Sequence, residues 1–350
     1  MKLLRCELII LIVLFFCTAC DNGGSYQAGS PNSIAGSTVL LNNSSYGGGS
    51  AAIVGLVNRS NLISLLNANG EFWQAPYAKG SNPNWAALSA PGESLATAIA
   101  LNISGIVFGG TALGNSYLYS QGQWLQQTTT ESSTIKSMVV TNGNVVYIGN
   151  DLGHVWLNEN LISGNSGITT AITQISVDSI ASPYFLGVAS GAYIYAYQIN
   201  GGQWKNLITA AENAGISYSD SGSQINAIAF TSPDGRIDYG YFGNAAGHVW
   251  RVVYDTATGT LQAFQNMSSL FSGFAGNGAI TALAVDSSNN VYAATSSGQL
   301  FIWTTSTTAW SNITPSSNTA AITAISIYNS NTVFVGTNSG QIWSITWGGN

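Results

Sequence analysis

Two histidines, His154 and His248, are the first candidates for acid–base or metal chemistry in this 350-residue chain. Each directly follows a glycine. A shared metal would need both imidazoles together with carboxylates or thiolates. They lie far apart in sequence, no cysteine follows residue 20, and neither a His-Glu-x-x-His nor an EF-hand spacing is present. No metal and no other cofactor is expected. Beyond the first twenty residues the only arginines are Arg59, Arg236 and Arg251. An arginine trio gripping an acidic sugar would need them to converge, and Arg59 is remote from the other two. No serine nucleophile elbow and no phosphate-cradling glycine loop before a helix occurs. Paired-carboxylate glycoside hydrolysis needs only two acids and stays open.

Charge restricts the partners. Charged residues make up 6% of the chain, against about 25% in ordinary soluble proteins. Outside the first twenty residues, six cations face thirteen carboxylates. Nucleic acid requires a basic stripe, which is missing. Electrostatic docking on anionic lipid is disfavoured for the same reason. Hydrophobic residues reach 45%, enough for a large core.

The N-terminus reads as a targeting segment. Lys2 and Arg5 precede an apolar run, Leu8–Phe16, that is too short to cross a bilayer as a helix. Cys17-Thr18-Ala19-Cys20 follows. Small residues before a cysteine resemble the lipobox of bacterial lipoproteins. That resemblance implies cleavage before Cys20 and lipidation of Cys20, although Cys17 stands where leucine is usual. Only Cys20 would then remain, and acylation accounts for a single unpaired cysteine in an exported chain. Residues 1–19 are therefore expected to be a signal peptide. Residues 20–36, rich in Gly, Ser and Asn, read as a flexible tether with a reach of roughly 20–25 Å.

The rest, residues 37–350, repeats a turn seven times. The glycines are Gly70, Gly114, Gly153, Gly191, Gly247, Gly298 and Gly340. Their mean spacing of about 45 residues matches a four-stranded propeller blade. The expected fold class is all-β, a seven-bladed β-propeller. A period-2 strand precedes each turn pair, as in Ile322-Thr-Ala-Ile-Ser-Ile. In the first repeat that strand is placed at Ala51-x-x-Val54-x-Leu56. A second glycine four residues upstream, at Gly110, Gly149, Gly187, Gly243 and Gly336, is assigned to the same hairpins. The seventh repeat ends after its third strand, so Ser37–Leu41 is expected to supply its outer strand and close the ring. Trp73, Trp156, Trp250 and Trp343 share one repeat position, and Trp85, Trp124, Trp204 and Trp310 another. Such periodicity fits wedges between blades better than sugar stacking.

Two insertions break the period. Residues 209–224 carry Glu212, Tyr218 and Asp220, and residues 266–279 carry Phe271 and Phe274. Both precede an innermost strand and should emerge on the rim that bears the repeated turns, near Asp151 and Asn244. Insertions on one face of a repeat fold often bind partners, though long surface loops are also tolerated at little cost. Candidate ligand contacts are Tyr218, Asp220, Phe271, Phe274 and Asp151. The segment Ile280-Thr-Ala-Leu-Ala-Val-Asp-Ser-Ser-Asn-Asn-Val-Tyr and its kin resemble bacterial sensor-type and photosystem-assembly-like propeller repeats. The resemblance implies fold and no site residues. The expected role is a lipid-anchored envelope protein, non-enzymatic, binding or scaffolding an envelope protein or glycan. A lectin-like module and a glycoside hydrolase are the alternatives.

Overall fold

Apolar residues alternate with small polar ones in every repeat, and each such stretch is a strand. A computed structural model describes residues 36–347 except 43–45, 60, 80, 93, 179–182, 233–236, 256–259 and 271–277. The signal peptide, Cys20, the tether, Phe271 and Phe274 lie outside the described residues. The described residues belong to one compact unit, Ser33–Asn350.

Seven antiparallel sheets of four strands form. Strand β1 spans Gly36–Leu40. Blade 1 is β2–β5 (Ile53–Arg59, Leu62–Asn67, Phe72–Pro76, Ala86–Leu88). Blade 2 is β6–β9 (Ala96–Leu101, Val107–Thr111, Asn115–Ser120, Gln123–Thr129). Blade 3 is β10–β13 (Ile135–Val140, Val146–Asn150, Val155–Leu157, Asn160–Leu161). Blade 4 is β14–β17 (Ile172–Val177, Phe185–Ser190, Tyr193–Gln198, Gln203–Asn206). Blade 5 is β18–β21 (Ile225–Thr231, Ile237–Asn244, Val249–Asp255, Thr260–Asn266). Blade 6 is β22–β25 (Ile280–Val285, Val291–Thr295, Leu300–Thr304, Ala309–Asn312). Blade 7 has β26–β28 (Ile322–Asn329, Thr332–Thr337, Ile342–Trp347). Each innermost strand touches those of both neighbouring blades, and the circle closes between β2 and β26.

Blade 7 takes β1 as its outer strand, from Gly36 opposite Trp347 to Leu40 opposite Trp343. The lock continues past the strand. The Leu41 N–H donates to the Ile342 carbonyl at 2.7 Å. The Asn42 side chain donates to the Gly340 carbonyl and accepts from the Ile342 N–H. Leu41 itself is buried among Tyr77, Trp85 and Phe334.

Two contacts repeat between blades. The isoleucine that starts an innermost strand lies over a glycine of the preceding blade. A Cβ on Gly110, Gly149, Gly243 or Gly336 would come within 2.6 Å of Cγ2 of Ile135, Ile172, Ile280 or Ile53 respectively. Blades 1 and 2 invert the fit: Leu66 is large, and Ala96 is the small residue that starts the next strand. The second contact is a hydrogen bond. The hydroxyls of Thr97, Thr173, Thr281 and Thr323 donate to the carbonyls of Ile135, Ile225, Ile322 and Ile53. The Asn226 amide does the same to Ile280.

Three sequence expectations are corrected. In blade 1 the inward pair is Ile53 and Leu56, two residues beyond the expected frame. Ile53 pairs with Asn67, whereas Val54 faces the channel. The upstream glycines answer to the neighbouring isoleucine rather than to hairpin φ. Gly187 is not one of them, because blade 4's turn is one residue shorter and Ala189 holds that place. Finally, the first insertion contains a helix, α1 (Leu207–Asn213). The Asn206 side chain caps it, accepting from the N–H groups of Ile208 and Thr209 at 3.1 Å.

Fourth-strand tryptophans join blades. Trp85, Trp204 and Trp310 donate their indole N–H to the carbonyls of Leu41, Ile162 and Met267 at 2.8–3.1 Å. Trp124 reaches Ser89 in the same way. Each acceptor lies just past the outer strand of the preceding blade.

Leu41→Ala should destabilise the protein by about 2–5 kcal/mol, the cost of a large-to-small change in a packed core. Urea unfolding measures it. A cost below about 0.5 kcal/mol would mean that β1 does not hold the ring shut.

Candidate functional site

The rim that bears the repeated turns is built from one recurring clamp. The residue three positions before the turn glycine is polar and fully buried: Asn67, Thr111, Asn150, Asn244, Thr295 and Thr337. Its side-chain oxygen accepts the N–H of the residue after the glycine, at 2.8–3.2 Å. The glycine follows a tight three-residue loop and takes positive φ, a form that other residues adopt with strain. Gly247 illustrates a second demand. At φ +84° its absent Cβ would lie 2.5 Å from the Gly278 carbonyl oxygen. The lead-in loop of the next blade thus packs directly on the turn.

The histidines complete this clamp in blades 3 and 5. In blade 5 the Asp220 carboxylate accepts from Asn244 Nδ2 at 2.8 Å and Trp250 Nε1 at 2.7 Å. It also meets His248 Nδ1 at 2.8 Å. In blade 3 Glu131 meets Asn150 Nδ2 at 2.6 Å and the His154 ring. In both blades a carboxylate from the lead-in loop reaches the histidine and the clamp asparagine. A carboxylate is an acceptor only, so it satisfies several buried donors at one point. Burial by itself would raise the Asp220 pKa. The hydrogen bonds from Trp250, Asn244 and His248, with the His248 charge, outweigh burial and hold it below the usual carboxylate value.

Tyr218 and Asp220, expected at a binding surface, therefore face inward. Tyr218 is 6% exposed and packs edge-on against Phe242, Trp250 and Phe264. The Asp220 side chain is 7% exposed. With Leu207, Ile208 and Ala211 of α1 in the same cluster, the insertion acts as a plug for blades 4 and 5. Asp151 lies on the rim, half-buried. Its N–H donates to the Thr134 carbonyl, and its Oδ1 is buried without a hydrogen-bond partner among the described residues. Phe271 and Phe274 lie outside the described residues. Among the described residues no group of three or more His, Cys, Asp or Glu is placed to hold a metal.

What this rim does expose is apolar and one-sided. Leu113 and Leu152, at the turn tips of blades 2 and 3, are 51% and 54% exposed. Leu95 lies over the blade 1 turn at Gly70, and Tyr193 begins the third strand of blade 4; both are exposed. The same tip position holds Ala246, Ser297 and Ser339 in blades 5, 6 and 7. In sequence the arc over blades 1–4 shows only as Leu113 and Leu152 directly before their turn glycines.

Inside the ring runs an axial channel. Its section at this rim holds about 340 Å³ and is lined by Val54, Thr97, Lys136, Thr173, Asn226, Thr281 and Thr323, one residue from each blade.

The fold has solved counterparts. The chain is similar to the crystal structure of the WD40 beta propeller domain of Doa1, with a TM-score of 0.67 at 12% identity, over 89% of this chain and 97% of that one. At that identity the likeness concerns the fold alone. No protein-family model and no curated protein matches the sequence.

Asp220→Asn should destabilise the protein at pH 7 by about 1–3 kcal/mol, the range for a hydrogen-bonded buried charge. The sign with pH is fixed by the depressed pKa. The carboxylate's contribution is present above its unfolded value, about 3.9, and is lost as pH falls through the folded pKa. The variant should thus differ most from the parent near neutrality and converge with it in acid. Thermal melts between pH 2 and 7 measure this; parallel curves at all pH values would remove Asp220 from the clamp.

Proposed function

We propose that this protein is a binding or scaffolding propeller of the bacterial cell envelope, anchored by lipid on Cys20, whose turn-bearing rim docks another envelope component. The observation that carries the docking reading is the arc of Leu95, Leu113, Leu152 and Tyr193. Four exposed large apolar side chains on the same rim, one after another around blades 1–4, support placing a contact there. Leu113 and Leu152 stand on short turns that are clamped by buried side chains, so that part of the arc is pre-organised and loses little freedom on binding. The low charge of the chain favours a partner recognised by shape and apolar contact rather than by long-range attraction. The lipobox-like Cys17–Cys20 segment and the Gly/Ser/Asn-rich stretch after it support anchoring.

Cys20→Ser should abolish incorporation of radiolabelled palmitate and move the protein out of the membrane fraction. Label and membrane association that survive the change would sink the anchor. For docking, Leu113→Ser with Leu152→Ser is compared with Leu125→Ser with Leu161→Ser, exposed leucines on outer strands. Crosslinking in native membranes should lose its specific partner with the first pair and keep it with the second. Equal capture by both would remove the rim from the contact.

A further inference from the structure

Cations are scarce in this chain, and two of them stand in the axial channel. Outside the first twenty residues they number six: Arg59, Lys79, Lys136, Lys205, Arg236 and Arg251. Lys205 lies over the Tyr254 ring, and Arg251 is bonded to Gln265. Arg59 and Lys136 both line the channel, and no carboxylate lines it with them among the described residues.

The channel has two widenings that share Leu56, Val57, Ile99, Met138 and Ile325. Lys136 belongs to the one at the turn-bearing rim. Arg59, the last residue of β2, belongs to the other, of about 330 Å³. Strand rise puts the backbone positions of the two cations about 15 Å apart along the strand direction. A compact ligand reaches only one.

Hydrogen-bond bookkeeping favours the Arg59 end. Near Lys136 the threonine hydroxyls give their hydrogens to neighbouring carbonyls. They present lone pairs, which suit an ammonium and repel an anion. Near Arg59 the pattern reverses. Ser176 Oγ accepts the Phe230 N–H, leaving its own hydrogen to donate. Asn58 Oδ1 accepts from Ser326 Oγ, leaving the Nδ2 hydrogens. Arg59 forms no ion pair with a carboxylate among the described residues. Burial lowers its pKa, yet a guanidinium stays charged at neutral pH. Its partial desolvation is thus offset by no counter-charge there. The same cavity is walled by Leu101, Val140 and Ile327.

We infer that the Arg59 end of the channel is a binding site for a small amphipathic carboxylate. The carboxylate sits on the Arg59 fork, with Asn58 and Ser176 as further donors, and the short apolar tail lies along Leu101, Val140 and Ile327. A planar guanidinium matches a carboxylate with two parallel hydrogen bonds. The volume is at the lower end of the range for small-molecule sites. This site is separate from the rim proposed for docking, and neither reading depends on the other.

The test is isothermal titration of the full chain with hexanoate, hexanamide and inorganic phosphate. Hexanoate should bind saturably. Hexanamide, which keeps the tail and loses the charge, and phosphate, which keeps a charge and loses the tail, should each bind about tenfold or more weakly. Arg59→Gln should weaken hexanoate to the same degree, and Lys136→Met should leave it unchanged. If Arg59→Gln shows no cooperative melt, Arg59→Lys replaces it, with the same loss expected because an ammonium lacks the fork. The site is refuted by no saturable hexanoate binding, by equal binding of hexanamide or phosphate, or by loss with Lys136→Met and not with Arg59.

Discussion

The contact between neighbouring blades governs this molecule. No blade can bury its own faces, so each sheet depends on the next. The dependence is localised where an innermost strand begins. There an isoleucine methyl lies over a glycine of the preceding blade. One residue later a threonine or asparagine donates to the carbonyl of the following blade. The first contact sets the distance between sheets and the second sets their height. Val54 and Lys136 occupy the donor position in blades 1 and 3, so those two junctions lack this bond and use others, Trp124 to Ser89 in the first and Ile175 N–H to Ser137 Oγ with Trp204 to Ile162 in the second. With no cysteine beyond residue 20, these non-covalent contacts carry the whole ring.

The sparse charges are used inside. Asp178, Asp255 and Asp286 are buried. Asp178 accepts backbone N–H groups of Tyr184 and Phe185, and Asp286 those of Ser288 and Asn290. Asp220 and Glu131 instead collect side-chain donors at the turn clamps. Asp178 and Asp286 stand in for peptide carbonyls where the chain turns. The surface is left sparsely charged, and its recognition rests mainly on apolar and hydroxyl groups.

Much of the architecture was legible because its signals repeat. Seven turn glycines fixed the blade count, and Ser37–Leu41 had no other sheet to join. The errors came where two frames look alike. Ala51/Val54 and Ile53/Leu56 both fit the i, i+3 spacing of the other repeats, and only pairing of Ile53 with Asn67 selects the second. Gly187 stood four residues before Gly191, as in other repeats, but a shortened hairpin shifted the register. Helix α1 is too brief to show helical periodicity, although Asn206 as cap and Gly215 beyond its end were readable. The site was the least legible part. Length made the 209–224 insertion look like a binding loop, whereas Tyr218 turned inward because blade 5 presents Phe242, Trp250 and Phe264 to be covered. An Asn or Thr three residues before six of the seven glycines is the clamp's sequence signal.

Strand β1 joins two distant parts of the chain through a five-residue antiparallel ladder. Tension applied on the N-terminal side of residue 36 is therefore borne first by that ladder and by the Asn42 side chain. A load directed along the strand would stress these bonds together rather than peel them singly. If they yield, blade 7 loses its outer strand, but the closing contact between Thr323 and Ile53 stays in place. The chain start is thus where load enters the closing blade, and release of the ladder would leave closure to the inner contacts alone.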